Sequence, residues 1–457
     1  MTKTTILTEV ASVKALKTAW QLLNKSNRDS RGISSITIKN FEDRLDSNLE
    51  KLSTELLSGK FRFSPVRGTT IKKKNLQAKL VSPQGHLKNL RPLRIPEIKD
   101  RVVHKALAIA IESHISHAFN LKNDSSFAYQ KGKGIENAIL KMGMYFNTGY
   151  KIILEADIIK FFDTINSLEL IKKVQTALPD DSINTLLADA VKQQIGNIDE
   201  LKSKKVFELY FENSEAGIPQ GNALSPLLAN VYLSSFDEKM STSGFKLIRY
   251  ADDFIVMCKT FEEAGNAYEI ALDELQNKLN LKLHPLGADS KTRIVDPRQH
   301  EFSFLSVRFD GEKFTIHPQK LKEFFLKLKC LVSKQSRSEL YPNEEIGLFQ
   351  ALTKLKNLTD GWIAAYYFLD CDRQIDELDK FINILLVQIF EDFGLSLKKN
   401  VLVEESLKGQ RRKNLALSLK QRKATGIKLC TETLNKVRDG ISPLRQRIQE
   451  LLIEEHS

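Results

Sequence analysis

Two adjacent carboxylates, Asp252 and Asp253, lie in the run Tyr250-Ala251-Asp252-Asp253 between the short apolar stretches 246–249 and 254–257. Those flanks are β-branched and aromatic, which predicts two strands meeting at a tight turn. Aspartate tolerates turn geometry, so the pair is expected at a hairpin tip. Carboxylates held there make a hard-oxygen site of the kind Mg²⁺ takes, with substrate phosphates completing its shell. A solvated turn could use the same residues, so the chemistry depends on partners. Asp157 is the candidate third acid, because it closes the apolar run 150–157, a buried-strand pattern. Alone it would be an ordinary strand-ending residue. If adjacent strands bring the three together, they could hold two Mg²⁺ ions, or Mn²⁺ in their place. One ion would activate a 3′-hydroxyl and the other would stabilise a pyrophosphate leaving group.

Composition narrows the partner. The 457 residues give room for about two to four domains and a sizeable core. Hydrophobic residues at 42% and charged ones at 28% describe a globular chain and exclude a disordered one. Its net charge of +12 favours a polyanion such as nucleic acid. Cys258, Cys330, Cys371 and Cys430 are far apart with no C-x-x-C pair, against a zinc site or a disulfide framework. That usage suits a reducing compartment, and no run reaches signal-peptide or membrane-span length. A cytoplasmic protein with no membrane partner is the expectation.

The elements that must position the acids follow from periodicity. Helices are predicted over 8–27, 38–59, 100–115, 222–240 and 262–280, with Asn166 or Ser167 capping another near Leu168. Short strands broken by turns are expected between 60 and 95. Alternating strands and helices predict a sheet with helices on one face. Beyond about 312 the strand signal fades, and 319–336, 345–370, 374–392 and 430–454 read as helices. Residues 408–428 hold eight Lys or Arg and no acid. A solvated helix face or a phosphate-binding surface would both account for them, with Arg411, Arg412, Lys413, Arg422 and Lys423 the candidate contacts.

Between the acids lies Gly217-Ile218-Pro219-Gln220-Gly221-Asn222-Ala223-Leu224-Ser225-Pro226-Leu227-Leu228-Ala229-Asn230, in which glycines let backbone approach a substrate before an apolar helix begins. This stretch resembles the loop-helix motif of bacterial reverse transcriptases, and Tyr-Ala-Asp-Asp resembles their catalytic box. Arg91-Pro92-Leu93-Arg94-Ile95-Pro96, Phe127-Ala128-Tyr129-Gln130, Asp157 to Asp163, Lys291-Thr292-Arg293 and Phe304-Leu305-Ser306-Val307 are similar to the family's other motifs, in the same order. The resemblance implies an α+β right-hand polymerase whose fingers and palm contain an antiparallel palm sheet, followed by an all-α thumb and a helical C-terminal region. The boundaries implied are an N-terminal helical extension over 1–66, fingers and palm over 67–312, thumb over 313–392 and a basic region over 393–457.

By the same resemblance, Asp157, Asp252 and Asp253 would be catalytic metal ligands. Arg91 and Lys88 would hold the triphosphate, a task that suits a guanidinium fork. Gln220 would contact the nucleotide, Lys291 would lie near the pyrophosphate, and Phe162 would crowd a 2′-hydroxyl and select dNTPs. Ser225 to Asn230 is similar to the group II intron class. Ser306 stands where that class has glycine, and no zinc or endonuclease pattern follows. The chain is thus identified with the unclassified, abortive-infection and defence-associated group. RNA-directed DNA synthesis on a structured non-coding RNA, with a DNA product and a role against phage, is the leading expectation. An intron-derived mobility or splicing factor, template-independent or protein-primed synthesis, and an RNA-binding scaffold are the alternatives.

Overall fold

The computed structural model describes residues 4–72, 90–212, 217–341, 344–395, 401–407 and 410–456, with the backbone alone at 72, 401–407, 410–414 and 455–456. Lys88, most of the 72–74 basic run and the 83–85 turn lie outside the described residues. The chain divides into two compact units, Met1–Gly134 with Leu154–Ile294, and Ile135–Ile153 with Val295–Ser457.

The first unit opens with short helices, Ile6–Ala11 and Val13–Leu22, then Ile38–Glu42 and Leu45–Leu57. Each predicted helix is thereby cut in two. Ser12 ends the first and caps the second, accepting from Ala15 N through its hydroxyl. β1 (Arg67–Lys72) and β2 (Leu90–Ile95) form an antiparallel ribbon. The Ile98–Ile115 helix follows, with Val102, Val103, Leu107, Ile111 and Ile115 buried.

A four-stranded sheet positions the acids. Its strands are β3 (Ile152–Asp157), β4 (Lys246–Tyr250), β5 (Asp253–Cys258) and β6 (Arg293–Val295), in the order β4-β5-β3-β6. In β5 every residue after Asp253 is buried, and β3 is buried from Ile152 to Leu154. Such continuous burial marks strands covered on both faces. The Ser234–Thr242 helix packs on β4 and the Phe261–Leu272 helix on β5. Asn166 caps the Ser167–Ala177 helix by accepting from Glu169 N, as the sequence predicts.

The second unit holds a three-stranded antiparallel sheet, β7 (Phe302–Phe304), β8 (Val307–Phe309) and β9 (Phe314–Ile316), and the long helices Leu348–Tyr366 and Asp372–Asp392. Trp362 stacks on Phe324 at 4.4 Å and serves packing. The C-terminal region is helical except for an antiparallel hairpin, β10 (Val401–Leu407) and β11 (Gln410–Ala416), whose second strand packs on the Asp372–Asp392 helix. The basic run 408–428 is therefore split between this strand and the Leu419–Ala424 helix.

The β7–β8 turn forms despite lacking the family's glycine. Leu305 and Ser306 both take positive φ, 52° and 68°, as a two-residue hairpin of this hand requires. Each L-residue there costs roughly 1–2 kcal/mol. Ser306→Gly is therefore expected to stabilise the chain by roughly 0.5–1 kcal/mol in urea unfolding, after allowing for glycine's greater unfolded-state entropy. A loss of stability would show that the serine side chain supports the turn.

Candidate catalytic site

Tyr250 of β4 pairs with Asp253 of β5, leaving Ala251 and Asp252 as the two-residue tip. Ala251 takes φ +60°, a position that favours glycine, so the turn is strained. Arg249, one residue before Tyr250, holds it. Its Nη1 donates to Ala251 O at 3.0 Å and to Asn230 Oδ1 at 3.1 Å, while Nε and Nη2 grip Asp237 at 2.6 and 2.5 Å. The two charged side chains are 1% and 3% exposed. Asn230 Nδ2 in turn donates to Ala128 O at 3.0 Å, and Asn123 Nδ2 to Asp237 at 3.2 Å. Backbone bonds from Arg249 N to Ser125 O and from Phe127 N to Arg249 O lay the 123–128 segment beside β4. Just beyond this segment Tyr129 takes φ +63° and is half exposed.

The three acids meet at one sheet edge. β5 begins with Asp253 beside β3, which ends with Asp157, and the two carboxyl groups are hydrogen-bonded. Loss of hydration, then the charges of Asp252 and Asp157, hold Asp253 well above the usual carboxylate range, although solvent still reaches its outer edge. Burial chiefly raises Asp252, with Asp157 adding to the effect and Arg91 and Lys291 opposing it. Lys291 Nζ donates to Asp157, and His284 Nε2 lies 3.5 Å from the same oxygen.

Like charges pressed together and facing cations are what a divalent ion would relieve. Among the described residues no three His, Cys, Asp or Glu side chains close around one point. The carboxylates of Asp157, Asp252 and Asp253 offer oxygen donors of the kind Mg²⁺ takes together with water and phosphate. An ammonium against Asp157 stands where such a cation would bind.

Two glycines bring the 217–222 loop to this edge. Gly217 has φ +82°, and a Cβ there would lie 2.8 Å from Asp163 Cα. Gly221 has φ +104°, and its Cβ would meet Arg94 O at 2.7 Å. The loop is bonded on both sides, Ile218 N to Phe162 O at 2.9 Å and Arg94 N to Gln220 O at 2.8 Å. Phe162 is half-buried, edge-on to the fully buried Phe161, so its ring is held while part of it faces out. Arg91 lies exposed on β2.

The structure therefore gathers Asp157, Asp252, Asp253, Lys291 and Arg91, and bonds the Phe162 and Gln220 segments through one loop. Arg422 is a correction. It is 1% exposed, with its guanidinium directed to Asp379, Asn383 and the carbonyls of Ile427 and Lys428. It cannot contact nucleic acid, because the C-terminal fold needs every donor it has. Lys423 is exposed. Arg411, Arg412 and Lys413 lie on β11, and their side chains are outside the described residues. Sequence reasoning missed Arg249, Asp237, Asn230 and His284. The available signal was a charge at the end of a buried strand, directly before the turn.

The sequence profile described as reverse transcriptase (RNA-dependent DNA polymerase) matches residues 71–309, more than half of the chain. The chain belongs to the reverse transcriptase family. RNA-directed DNA polymerisation is accordingly its class of chemistry. Protein YkfC of Escherichia coli (strain K12) is 28% identical over 360 residues, 68% of this reverse transcriptase and 86% of the relative. Group II intron-encoded protein LtrA of Lactococcus lactis subsp. cremoris is 27% identical over 274 residues, 60% of this chain but 39% of its own length. Among solved structures, a partial Cas6-RT-Cas1–Cas2 complex aligns at 24% identity and TM-score 0.32, covering 61% of this chain and 43% of that one. Telomerase from Candida albicans aligns at 11% identity and TM-score 0.36, covering 79% and 66%. These structural likenesses are slight and no conclusion draws on them. Among the described residues no helix is long and apolar enough to cross a membrane.

Removing one partner of a buried ion pair strands the other's charge, at about 3–5 kcal/mol. Asp237→Asn is expected to lower unfolding stability by that amount and to release the tip. A loss below about 1 kcal/mol would mean that Arg249 is held by its neutral partners alone.

Proposed function

We propose that this chain extends a DNA strand on an RNA template, with Asp157, Asp252 and Asp253 as ligands of two Mg²⁺ ions. The carrying observation is the hydrogen-bonded pair Asp157 and Asp253, with the charge of Asp252 bearing on both and Lys291 bonded to Asp157. When bound, the ions would neutralise charge on the attacking 3′-oxygen and the departing pyrophosphate. Arg91, with Lys88, would fork the triphosphate oxygens. Lys291, freed from Asp157, would stand near the pyrophosphate as a proton donor. Gln220 would meet the incoming nucleotide, and the Phe162 ring would collide with a 2′-hydroxyl and so favour dNTPs.

Incorporation of dNTPs on a poly(rA)·oligo(dT) duplex tests this. Asp252→Ala with Asp253→Ala is expected to cut the rate on the order of a thousandfold or more, with RNA affinity held within about twofold. Retained synthesis would make these acids structural. In the same assay Phe162→Ala is expected to raise ribonucleotide use relative to dNTPs by roughly tenfold, and an unchanged ratio would remove the gate.

The proposed setting is the copying of an associated non-coding RNA in anti-phage defence, in the cytoplasm, a family-level inference that takes its support from the chain's departure from the intron class at Ser306 and not from the loop motif. A second reading, intron mobility or splicing, draws support from the intron-encoded relative. Sequencing nucleic acid that copurifies with the wild type separates them, since intron RNA in that pool would sink the defence reading. Arg411, Arg412, Lys413 and Lys423 remain proposed phosphate contacts. Neutralising the first three is expected to lower the slope of log affinity against log salt by roughly two to three. An unchanged slope would free them of that role.

A further inference from the structure

The loop that carries Gln220 is anchored by a buried polar cluster outside the site. Asn222 is 4% exposed, and its Nδ2 donates to Ala190 O at 2.8 Å and lies 3.3 Å from His104 Nε2. Its Oδ1 accepts from Leu224 N at 2.9 Å, at the start of the Ser225–Tyr232 helix. One side chain thus ties the end of the loop to the Ile98–Ile115 helix and to Ala190. His104 is fully buried and stacks on Phe63, with centroids 4.6 Å apart and planes 9° off parallel. One turn earlier on the same helix face lies Asp100, also fully buried. Its Oδ2 accepts from Ser64 N at 2.9 Å and from Gln193 Nε2 at 3.3 Å.

Two atoms of this cluster, Asp100 Oδ1 and His104 Nδ1, are buried without a hydrogen-bond partner. Each such atom has lost its hydration without a partner in exchange, a penalty that apolar residues of similar volume would not carry. Stability alone does not account for the cluster. Burial pushes His104 down to about 3 and Asp100 up to about 7. At neutral pH the imidazole is uncharged and engages Asn222 as a directional partner.

Of the loop's other ties, two run to Phe162 O and from Arg94 N, on segments bearing proposed substrate contacts, and Ser225 Oγ donates to Pro219 O at 2.6 Å from the helix that continues the loop. The Asn222 tie comes from a helix distant in sequence that gives the site no side chain. We propose that His104 and Asn222 form a positioning relay that sets the Gly217–Asn222 loop, and with it Gln220, for the incoming nucleotide. This rests on the reading that the loop seats that nucleotide.

Steady-state dTTP incorporation on poly(rA)·oligo(dT) tests the relay through Asn222→Ala, His104→Phe, their double variant and Gln220→Ala. His104→Phe keeps the stack on Phe63 and the fold. Each single change is expected to raise KM for dTTP roughly tenfold with kcat within about twofold. The double variant should be no worse than the more severe single one, because both act through one contact. His104→Gln, which restores a polar partner, should recover most of the KM. A purely structural role would instead lower the thermal midpoint and the active fraction while leaving KM unchanged, and that overturns the relay. If Gln220→Ala raises KM and the Asn222 and His104 variants do not, the relay alone fails. If Gln220→Ala also leaves KM unchanged, the nucleotide-loop reading fails with it.

Discussion

The guanidinium of Arg249, locked against Asp237 beneath the hairpin tip, is the interaction on which the site's geometry hangs. A two-residue turn with alanine at its positive-φ position is disfavoured by its own backbone. The strain persists because the surroundings over-determine the turn, with Arg249 bonding Ala251 O from below. A buried ion pair adds little net stability beyond what an apolar pair would give. What it contributes is direction, since a planar fork satisfied by Asp237, Asn230 and Ala251 permits one arrangement. The helix bearing Asn230 and the 123–128 segment are fixed by the same group.

Fixing the tip has an electrostatic consequence. Asp252 and Asp253 cannot relax away from Asp157, and loss of hydration first, then the neighbouring acids' charge, makes their carboxyls hold protons more tightly than free ones do. Lys291 and Arg91 offset part of it from above, reaching in from β2 and from the chain beside β6. The arrangement is preorganised to accept positive charge, as electrostatic catalysis requires. Close approach by the glycine loop completes it, since a side chain at residue 217 or 221 would run into the backbone of Asp163 or Arg94.

Much of this was legible in the chain. The apolar flanks of Tyr250 to Asp253 dictated a hairpin, the run into Asp157 dictated a buried strand, and Asn166 announced a helix start. The basic stretch was less legible, because charge alone does not say which side chains face water. Arg422 belongs to the same run as Lys423 yet is entirely buried, since Asp379 and three further oxygens, of Asn383, Ile427 and Lys428, take up its guanidinium. Ser306 stands where the intron class has glycine, yet the neighbouring strands impose the turn regardless.

Local pattern thus determined the inventory: which residues could do chemistry, which segments were strands or helices, and which family the motif order belongs to. Only tertiary structure decided which distant groups touch, that Arg249 supports the tip, that Asn222 reaches His104, and that His284 joins Lys291 at Asp157. The physical reason is range. Propensity and periodicity act over a few residues, whereas the bonds that set the site close chain separations of 12 residues at Arg249–Asp237, 118 at Asn222–His104 and 134 at Lys291–Asp157, which no local signal encodes.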